Sequence, residues 1–561
     1  MNWSLPFLVL GLCFVLSVPL GAYLAWAMGA PGAGGLRARF DRFVGRIGGP
    51  LAARSQGWRG YAVSLLVFNA LLLVASYLIL IAQGSLPLNP DGKAGLSAHL
   101  AFNTAVSFTT NTNLQHYSGE QQLSYFSQLF VVLWLQFVSA ATGLAALAAL
   151  CRGLAGQVEL GNFWRDLLRA TALVFLPLAL LFGLAFVLTG VPMTMQGAAG
   201  ATTLEGLTQT ISRGPVAAVL AIKQLGTNGG GFFGPNSAHP FENPSALSNL
   251  LANVAILILP MAAVWFFGHS IRSRRQAGTV FAAMALLLVG MVGFAQRTES
   301  RPAPALAGLP VVQTANLEGK ELRFGPTAGA LWAVSTTATS NGSVNAMHDS
   351  LNPLTGLIPM VGMWLNAVFG GVGVGFINMF LYIVTAVFIA GTMVGRTPEY
   401  LGKKLEAREM KLAIIALLVH PFLILGGTAL FAATPWGQGT VQETGPHGLS
   451  EIAYEFSSAA ANNGSGFEGL GDNTAPWNLA TGFAMLLGRF LPIVAPLAIA
   501  GSLAAKRRQA ASAGTFRTDT VLFGALLIGV VLIVGALLFL PLAVLGPIAE
   551  HLQLASAGLG G

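Results

Sequence analysis

Apolar residues gather in long runs separated by short polar stretches. A helix that crosses hydrocarbon needs roughly 20 apolar residues. Ten runs reach that length, at about 3–29, 60–84, 125–151, 167–190, 246–268, 277–296, 356–395, 411–433, 477–505 and 519–548. Backbone polar groups cannot go unpaired in lipid, so each run must be helical, broken only where protein or water covers the break. Four further runs, about 97–108, 214–225, 327–338 and 449–460, are only 11 or 12 residues long. That length suits a re-entrant pore helix and not a span.

Basic residues separate the runs unevenly. Arg37, Arg39, Arg42, Arg46, Arg54 and Arg59 follow the first. Arg152, Arg165 and Arg169 follow the third, and Arg272, Arg274 and Arg275 the fifth. Arg396, Lys403, Lys404, Arg408 and Lys411 follow the seventh, and Lys506, Arg507, Arg508 and Arg517 the ninth. Every odd-to-even loop is basic, so these loops are expected in the cytoplasm and both termini outside. The chain is 54% hydrophobic and 9% charged, against about a quarter charged in soluble proteins. Its net charge of +8 is therefore a topology signal and not a nucleic-acid footprint. No basic residue precedes the first apolar run, which is expected to stay as a helix and not be cleaved as a signal peptide. Cys13 and Cys151 both sit in or beside apolar runs, which argues against a disulfide or a metal site.

The even-to-odd loops carry a recurring turn. Thr109 to Asn113 reads TTNTN, Gly226 to Gly231 GTNGGG, Thr339 to Ser343 TSNGS, and Ala461 to Ser465 ANNGS. Aligned, they share a column of Asn111, Asn228, Asn341 and Asn463. Thr110, Thr227, Ser340 and Asn462 precede it. Thr112, Gly229, Gly342 and Gly464 follow it, so the first turn lacks the common glycine. Any one Asn-Gly pair is an ordinary turn; four in register between spans indicate an internal repeat. The fold class expected is an all-α membrane protein with ten transmembrane helices. Four pseudo-symmetric helix–pore-loop–helix repeats are flanked by one extra helix at each end. The chain then divides into a leading helix with a basic cytoplasmic loop (1–59), pore repeats at 60–166, 167–275, 276–408 (its second helix broken) and 409–508, and a trailing helix (509–561).

Dehydrating a potassium ion requires convergent oxygens, which backbone carbonyls supply. Glycine frees the backbone to aim them. Thr, Ser and Asn add oxygens or bond neighbouring backbone to hold the turn. The aligned turns contain no carboxylate, which argues against a tightly held divalent ion.

The stretches GTNGGGFFGPNSAHPFENP (226–244), NTAVSFTTNTNLQHYSGE (103–120) and GRTPEYLGKK (395–404) resemble the potassium-translocating A subunit family of the bacterial Kdp complex, within the superfamily of potassium transporters. The resemblance runs nearly end to end. It implies a potassium-binding chain of the bacterial inner membrane. Its partners would be an ATP-hydrolysing P-type subunit and two small single-span subunits. It also implies potassium coordination by the four turns, here Thr109, Thr110, Asn111, Thr112, Asn113, Gly226, Thr227, Asn228, Gly229, Gly230, Gly231, Thr339, Ser340, Asn341, Gly342, Ser343, Asn462, Asn463, Gly464, Ser465 and Gly466. Gln115 and Gly231 fall at family positions linked to ion affinity.

The seventh run is about 40 residues long, and its middle reads NAVFGGVGVGF, Asn366 to Phe376. Interior glycines cost a helix roughly 1 kcal/mol each. Gly370, Gly371 and Gly373 serve either a break that gates the ion or close helix packing; the resemblance implies the break. Arg489 falls within the ninth run, where a charge is costly and by default functional. It can repel a second ion or pin helices. Lys223 can neutralise a pore-helix end or pair with an acid such as Glu242. Glu120, Glu242, Glu451, Glu455, Glu468 and Asp472 lie in outer segments, either drawing cations or simply solvated. His116, His239, His348 and His447 show no metal-ligand spacing and are read as loop residues.

The chain has no phosphate-binding G-x-x-x-x-G-K-[ST] loop and no D-K-T-G segment. Its cytoplasmic loops, about 10 to 30 residues, are too short for a nucleotide-binding domain. No nucleotide is expected to bind this chain. The rival readings are a self-sufficient potassium channel or symporter closed by a soluble ring, and a membrane scaffold with re-entrant loops.

Overall fold

The computed structural model describes residues 3–29, 35–306, 315–509 and 516–557. Among these, ten helices are long and apolar enough to cross a membrane: Ser4–Met28, Trp58–Ser85, Tyr125–Leu154, Phe163–Leu188, Ala246–Ser270, Arg274–Glu299, Val374–Met393, Ala407–Ala432, Ala475–Ala505 and Val521–Ser556. The chain is thus a helical multi-pass membrane protein. The spans form two layers. In the seventh, 89% of the apolar stretch is buried, against 22% in the second and fourth, so the third, fifth, seventh and, at 61%, the ninth lie inside and the others face outward.

The seventh apolar run is two helices. Pro353–Leu365 is too short to span, and Val374–Met393 completes the crossing, with non-helical backbone between them. Four further short helices dip between spans: Ala98–Thr109, Val216–Leu225, Gly325–Ala338 and Pro446–Ala461. The fourth begins three residues earlier than the apolar run, because Pro446 supplies a preset φ at its first turn. Two small antiparallel ribbons, Ala199–Thr202 with Thr208–Ile211 and Glu399–Tyr400 with Lys403–Lys404, decorate connecting segments. The tenth span is longer than its apolar run and kinks at Gly546, before Pro547. The outer segment 298–325, for which the sequence suggests no role, falls partly outside the described residues.

The first basic segment is not a simple loop. Gly35–Ala53 is helical on either side of a kink at Gly49 and is bound to the fourth span by charge. Arg169 makes a bidentate pair with Asp41 at 2.7 and 2.5 Å. Arg152 does the same with Asp166 at 2.6 and 2.8 Å, and Tyr61 donates to Asp166 at 3.0 Å. Fork geometry of this kind fixes orientation as well as supplying energy.

The leading helix packs along the fifth span through small residues. A Cβ at Gly21 would lie 2.3 Å from the Trp265 Cβ and 3.0 Å from the Ala262 carbonyl oxygen; Trp265 Nε1 donates to Ser17 Oγ at 3.2 Å. Gly21→Val overpacks this seam, at a cost of about 1–3 kcal/mol. We expect lower thermal stability of the purified protein with unchanged helix content at low temperature; thermal unfolding followed by circular dichroism checks this.

Candidate functional site: a ring of four turns

Each of the four dipping helices ends in the same backbone manoeuvre. The carbonyls of Ser107, Lys223, Thr336 and Ser458 accept from the amides five residues on, at Thr112, Asn228, Asn341 and Asn463, at 2.7–3.0 Å. The residue before each of these amides is left-handed: Asn111 (φ 65°), Thr227 (49°), Ser340 (47°) and Asn462 (54°). The residue after is left-handed again: Asn113 (57°), Gly229 (91°), Gly342 (93°) and Gly464 (102°).

This periodicity corrects the sequence alignment of the first turn by one residue. Thr112, not Asn111, matches Asn228, Asn341 and Asn463, and Asn113 stands where the others have glycine. Thr110 then matches Gly226 and Thr339, and Thr109 is the last residue of its helix. The substitution has a physical reason, since asparagine is among the few side chains that enter the left-handed region readily.

The turns close on one another with no space for side chains. A Cβ at Gly229 would lie 1.9 Å from the Asn341 carbonyl oxygen, one at Gly342 2.1 Å from that of Asn463, and one at Gly464 2.1 Å from that of Thr112. Gly230 meets the Asn113 carbonyl oxygen at 2.1 Å, so the circuit runs first to second to third to fourth and back to the first. Among the described residues, the carbonyl oxygens of Thr112, Asn228, Asn341 and Asn463 accept no hydrogen bond. Buried carbonyls without a partner are rare, and four at equivalent positions are one set of oxygens free to accept a ligand.

The asparagine side chains tie the ring together. Asn341 Nδ2 donates to the Lys223 carbonyl at 3.2 Å and Asn463 Nδ2 to the Thr336 carbonyl at 2.9 Å. Asn111 Nδ2 donates to the Thr227 carbonyl at 2.8 Å, and Asn228 Nδ2 to Asn111 Oδ1 at 2.7 Å. Asn462 Nδ2 reaches Thr112 Oγ1 at 2.9 Å. Trp332 Nε1 holds the Ser343 carbonyl at 2.8 Å, and Ser465 Oγ meets Tyr454 Oη at 2.8 Å. Gln136 Nε2 donates to the Gly230 carbonyl at 2.7 Å. Gln115 pairs with Gly231 twice: Gly231 N donates to Oε1 at 2.7 Å and Nε2 donates to the Gly231 carbonyl at 3.1 Å. Gly231 therefore lies just beyond the ring. Gly466 likewise follows the fourth turn, where a Cβ would lie 3.6 Å from Glu455 Oε2.

The break in the seventh run lies against the ring. Asn366 is left-handed (φ 44°), as are Gly371 (95°) and Gly373 (82°). Ser340 Oγ donates to Asn366 Oδ1 at 2.8 Å, Asn366 Nδ2 to the Ala461 carbonyl at 3.3 Å, and Val372 N to Thr227 Oγ1 at 3.1 Å. A Cβ at Gly371 would meet the Thr339 carbonyl at 3.2 Å; at Gly370, the Asn366 carbonyl at 2.5 Å; at Gly373, the Gly143 carbonyl at 2.3 Å. The loop thus touches the second, third and fourth turns. Arg489 stands beside it. Its Nη2 lies 3.4 Å from a Cβ built at Gly143, a position itself 2.7 Å from the Val372 carbonyl, and donates to the Ser139 carbonyl at 3.4 Å. Arg489 is buried, and among the described residues no carboxylate pairs with it.

Most of the outer acids are not solvated charges. Glu242, Glu451 and Glu455 are buried. Lys223 Nζ lies 2.6 Å from Glu242 Oε2, one of the two roles open to it from the sequence. Glu120 accepts from Gly234 N at 2.8 Å and Glu468 from His348 N at 2.7 Å. The histidines are equally engaged. His116 Nε2 lies 3.0 Å from Glu455 Oε1 and 3.8 Å from Asp472. Burial opposes its protonation, but Asp472 and Glu455 outweigh that and hold it up at about 9. His348 has the opposite fate: burial, then Lys320, push it down to about 3. His447 bridges Asp349 at 3.0 Å and Glu550 at 2.9 Å. His239 stacks on Phe233 at 3.7 Å between centroids. Sequence spacing missed these clusters because their members lie up to hundreds of positions apart.

Four short helices between spans, whose turns close on one another and leave equivalent carbonyl oxygens free, are suited to holding a dehydrated cation. The model of the family "Potassium-transporting ATPase A subunit" (KdpA) matches residues 7–552; the chain belongs to that family, whose activity is potassium transport. Among solved structures it resembles the potassium transporter TrkH from Vibrio parahaemolyticus, with a TM-score of 0.53 at 16% identity, covering 88% of this chain and 98% of that one. That likeness is one of fold.

Asn113 supplies a direct check of the corrected register. Asn113→Gly should keep the wild-type potassium dependence. Asn113→Val, which places a β-branched residue in the left-handed region at about 1–2 kcal/mol, should weaken it roughly tenfold. Potassium-stimulated ATPase activity of the assembled complex is the measurement.

Proposed function

We propose that this chain is the potassium-binding and translocating, channel-like subunit of an ATP-driven, high-affinity potassium import complex in a bacterial inner membrane. The observation that carries the reading is the closed ring of four turns with its unpartnered carbonyl oxygens. Potassium enters from the extracytoplasmic side, the side away from the basic loops. It exchanges water for the carbonyls of Thr112, Asn228, Asn341 and Asn463. Thr109, Thr110, Asn111, Asn113, Gly226, Thr227, Gly229, Gly230, Thr339, Ser340, Gly342, Ser343, Asn462, Gly464 and Ser465 shape that ring, and Gln115, Gly231 and Gly466 border it. The ion then meets the loop of Asn366, Gly370, Gly371 and Gly373. Unpaired Arg489 beside that loop repels a second cation and discourages leak.

The family match supports an ATP-hydrolysing P-type subunit as the partner that receives the ion, with two small single-span subunits completing the assembly. This chain binds no nucleotide in this reading, and both its termini lie outside. Lipid is the other partner. Helix 35–53 leaves Leu36, Phe43, Ile47 and Leu51 exposed alongside exposed Arg39, Arg42 and Arg46, a pattern suited to the headgroup boundary.

Gly342→Ala tests the ring. Its Cβ must displace the fourth turn and adopt a positive φ. We expect the potassium needed for half-maximal ATPase activity to rise roughly tenfold or more, with other cations beginning to stimulate. Unchanged potassium dependence in a well-assembled complex would refute the filter assignment. Gly371→Ala and Gly373→Ala should alter transport rate while the complex still assembles; a change confined to protein yield would make the loop a packing feature only.

A further inference from the structure

The ring departs from fourfold symmetry at one buried position. The residue whose carbonyl accepts the turn amides is a small hydroxyl residue in three repeats: Ser107, Thr336 and Ser458. In two of these the hydroxyl itself takes the following glycine amide, Gly342 N to Thr336 Oγ1 and Gly464 N to Ser458 Oγ, both at 2.9 Å. In the second repeat the position is Lys223, fully buried. Its side chain runs behind the second turn. The ammonium donates to Glu242 Oε2 and to Asn236 Oδ1, each at 2.6 Å. Glu242 in turn accepts from Phe233 N at 3.3 Å and from Ser237 Oγ at 3.3 Å. The three atoms nearest a Cβ built at Gly231 all belong to this lysine, Cδ at 3.0 Å, Nζ at 3.2 Å and Cε at 3.5 Å. On its other side Gly231 is clamped by both amide atoms of Gln115.

We propose that the Lys223–Glu242 ion pair is a brace that sets the outer end of the second filter turn, making both residues positioning residues for cation selection, and that position 231 must be glycine because the lysine stem occupies the space a side chain needs. The inference rests on the reading of the four turns as a potassium filter. A full positive charge behind a cation site is unfavourable unless a carboxylate holds it. Glu242 does so while also fixing the backbone that leaves the turn at Phe233. A buried pair of this kind is retained for placement more than for stability.

The test uses the purified, assembled complex with potassium, rubidium and sodium as probes. Lys223→Ser combined with Glu242→Gln installs the hydroxyl of the other repeats and leaves no lone buried charge. Lys223→Met with Glu242→Gln, which keeps the apolar stem, serves where the serine variant fails to assemble. We expect the half-maximal potassium concentration to rise roughly tenfold and the preference for potassium over rubidium to narrow, with the maximal rate held within about twofold. A pair that only supports folding would instead lower yield and maximal rate, leaving cation preference unmoved; that result overturns the proposal. The second arm is a cycle with Gly231→Ala. Alone it should weaken potassium dependence; in the Lys223→Ser/Glu242→Gln background the additional effect should largely vanish, because the obstacle is gone. Fully additive effects overturn it as well. Gly342→Ala separates the two levels: if it too leaves potassium dependence unchanged, the filter reading fails; if it alone changes it, only the brace does.

Discussion

Backbone carbonyls inside a membrane must be satisfied, and this architecture is organised around four that are not satisfied by the protein. Most other carbonyls at that depth are consumed within helices or by side-chain donors such as Asn111, Gln136 and Trp332. To leave Thr112, Asn228, Asn341 and Asn463 free at one point, four helices must stop halfway. Their last carbonyls must be capped by amides five residues on, and the chain must leave in a left-handed conformation. The short helices, the glycines and the crossing asparagine side chains all follow from that requirement. At Gly229, Gly342 and Gly464 the contacts between turns leave no space even for a methyl group, and asparagine side chains tie one turn to the next.

A ring of identical quadrants would treat all four sides of the path alike. The sequence breaks the symmetry where that matters. Asn113 replaces a glycine in the first turn, Lys223 replaces a small hydroxyl behind the second, and the helix after the third turn is cut into Pro353–Leu365 and Val374–Met393. The cut places Asn366 and the 370–373 glycines against three of the four turns, with Arg489 beside them. Irregular backbone here is tolerable because protein surrounds it, as the burial of the whole segment shows.

The polar periphery follows the same economy of charge. Buried acids are matched one by one to a lysine, a histidine or backbone amides, and similar side chains end in opposite states. His116, between two carboxylates, is held charged, while His348, buried near Lys320, is held neutral. The carboxylates thus brace the loops that carry the turns.

The sequence by itself determined the helical membrane class, the ten spans and the places of the short helices. These depend on local length and hydrophobicity, and lipid leaves the backbone few alternatives. The glycine density after Asn366 was also visible as a local property, but it fitted a break or close helix packing equally, and the family resemblance pointed to the break. What only the tertiary structure decided is anything set by the meeting of distant segments. The true register of the first turn is a matter of backbone angles that Asn and Gly share, so a column of identical letters misplaced it by one residue. The use of asparagine as a strap and not a ligand depends on which carbonyl of the neighbouring repeat lies within reach. The partners of His116, His447 and Arg489 come from turns and spans far along the chain, and no periodicity encodes them. Lys223 with Glu242 lies between these cases. The pair is close enough in sequence to be suspected, but its placement against Gly231 appears only when the second turn is folded over the lysine stem.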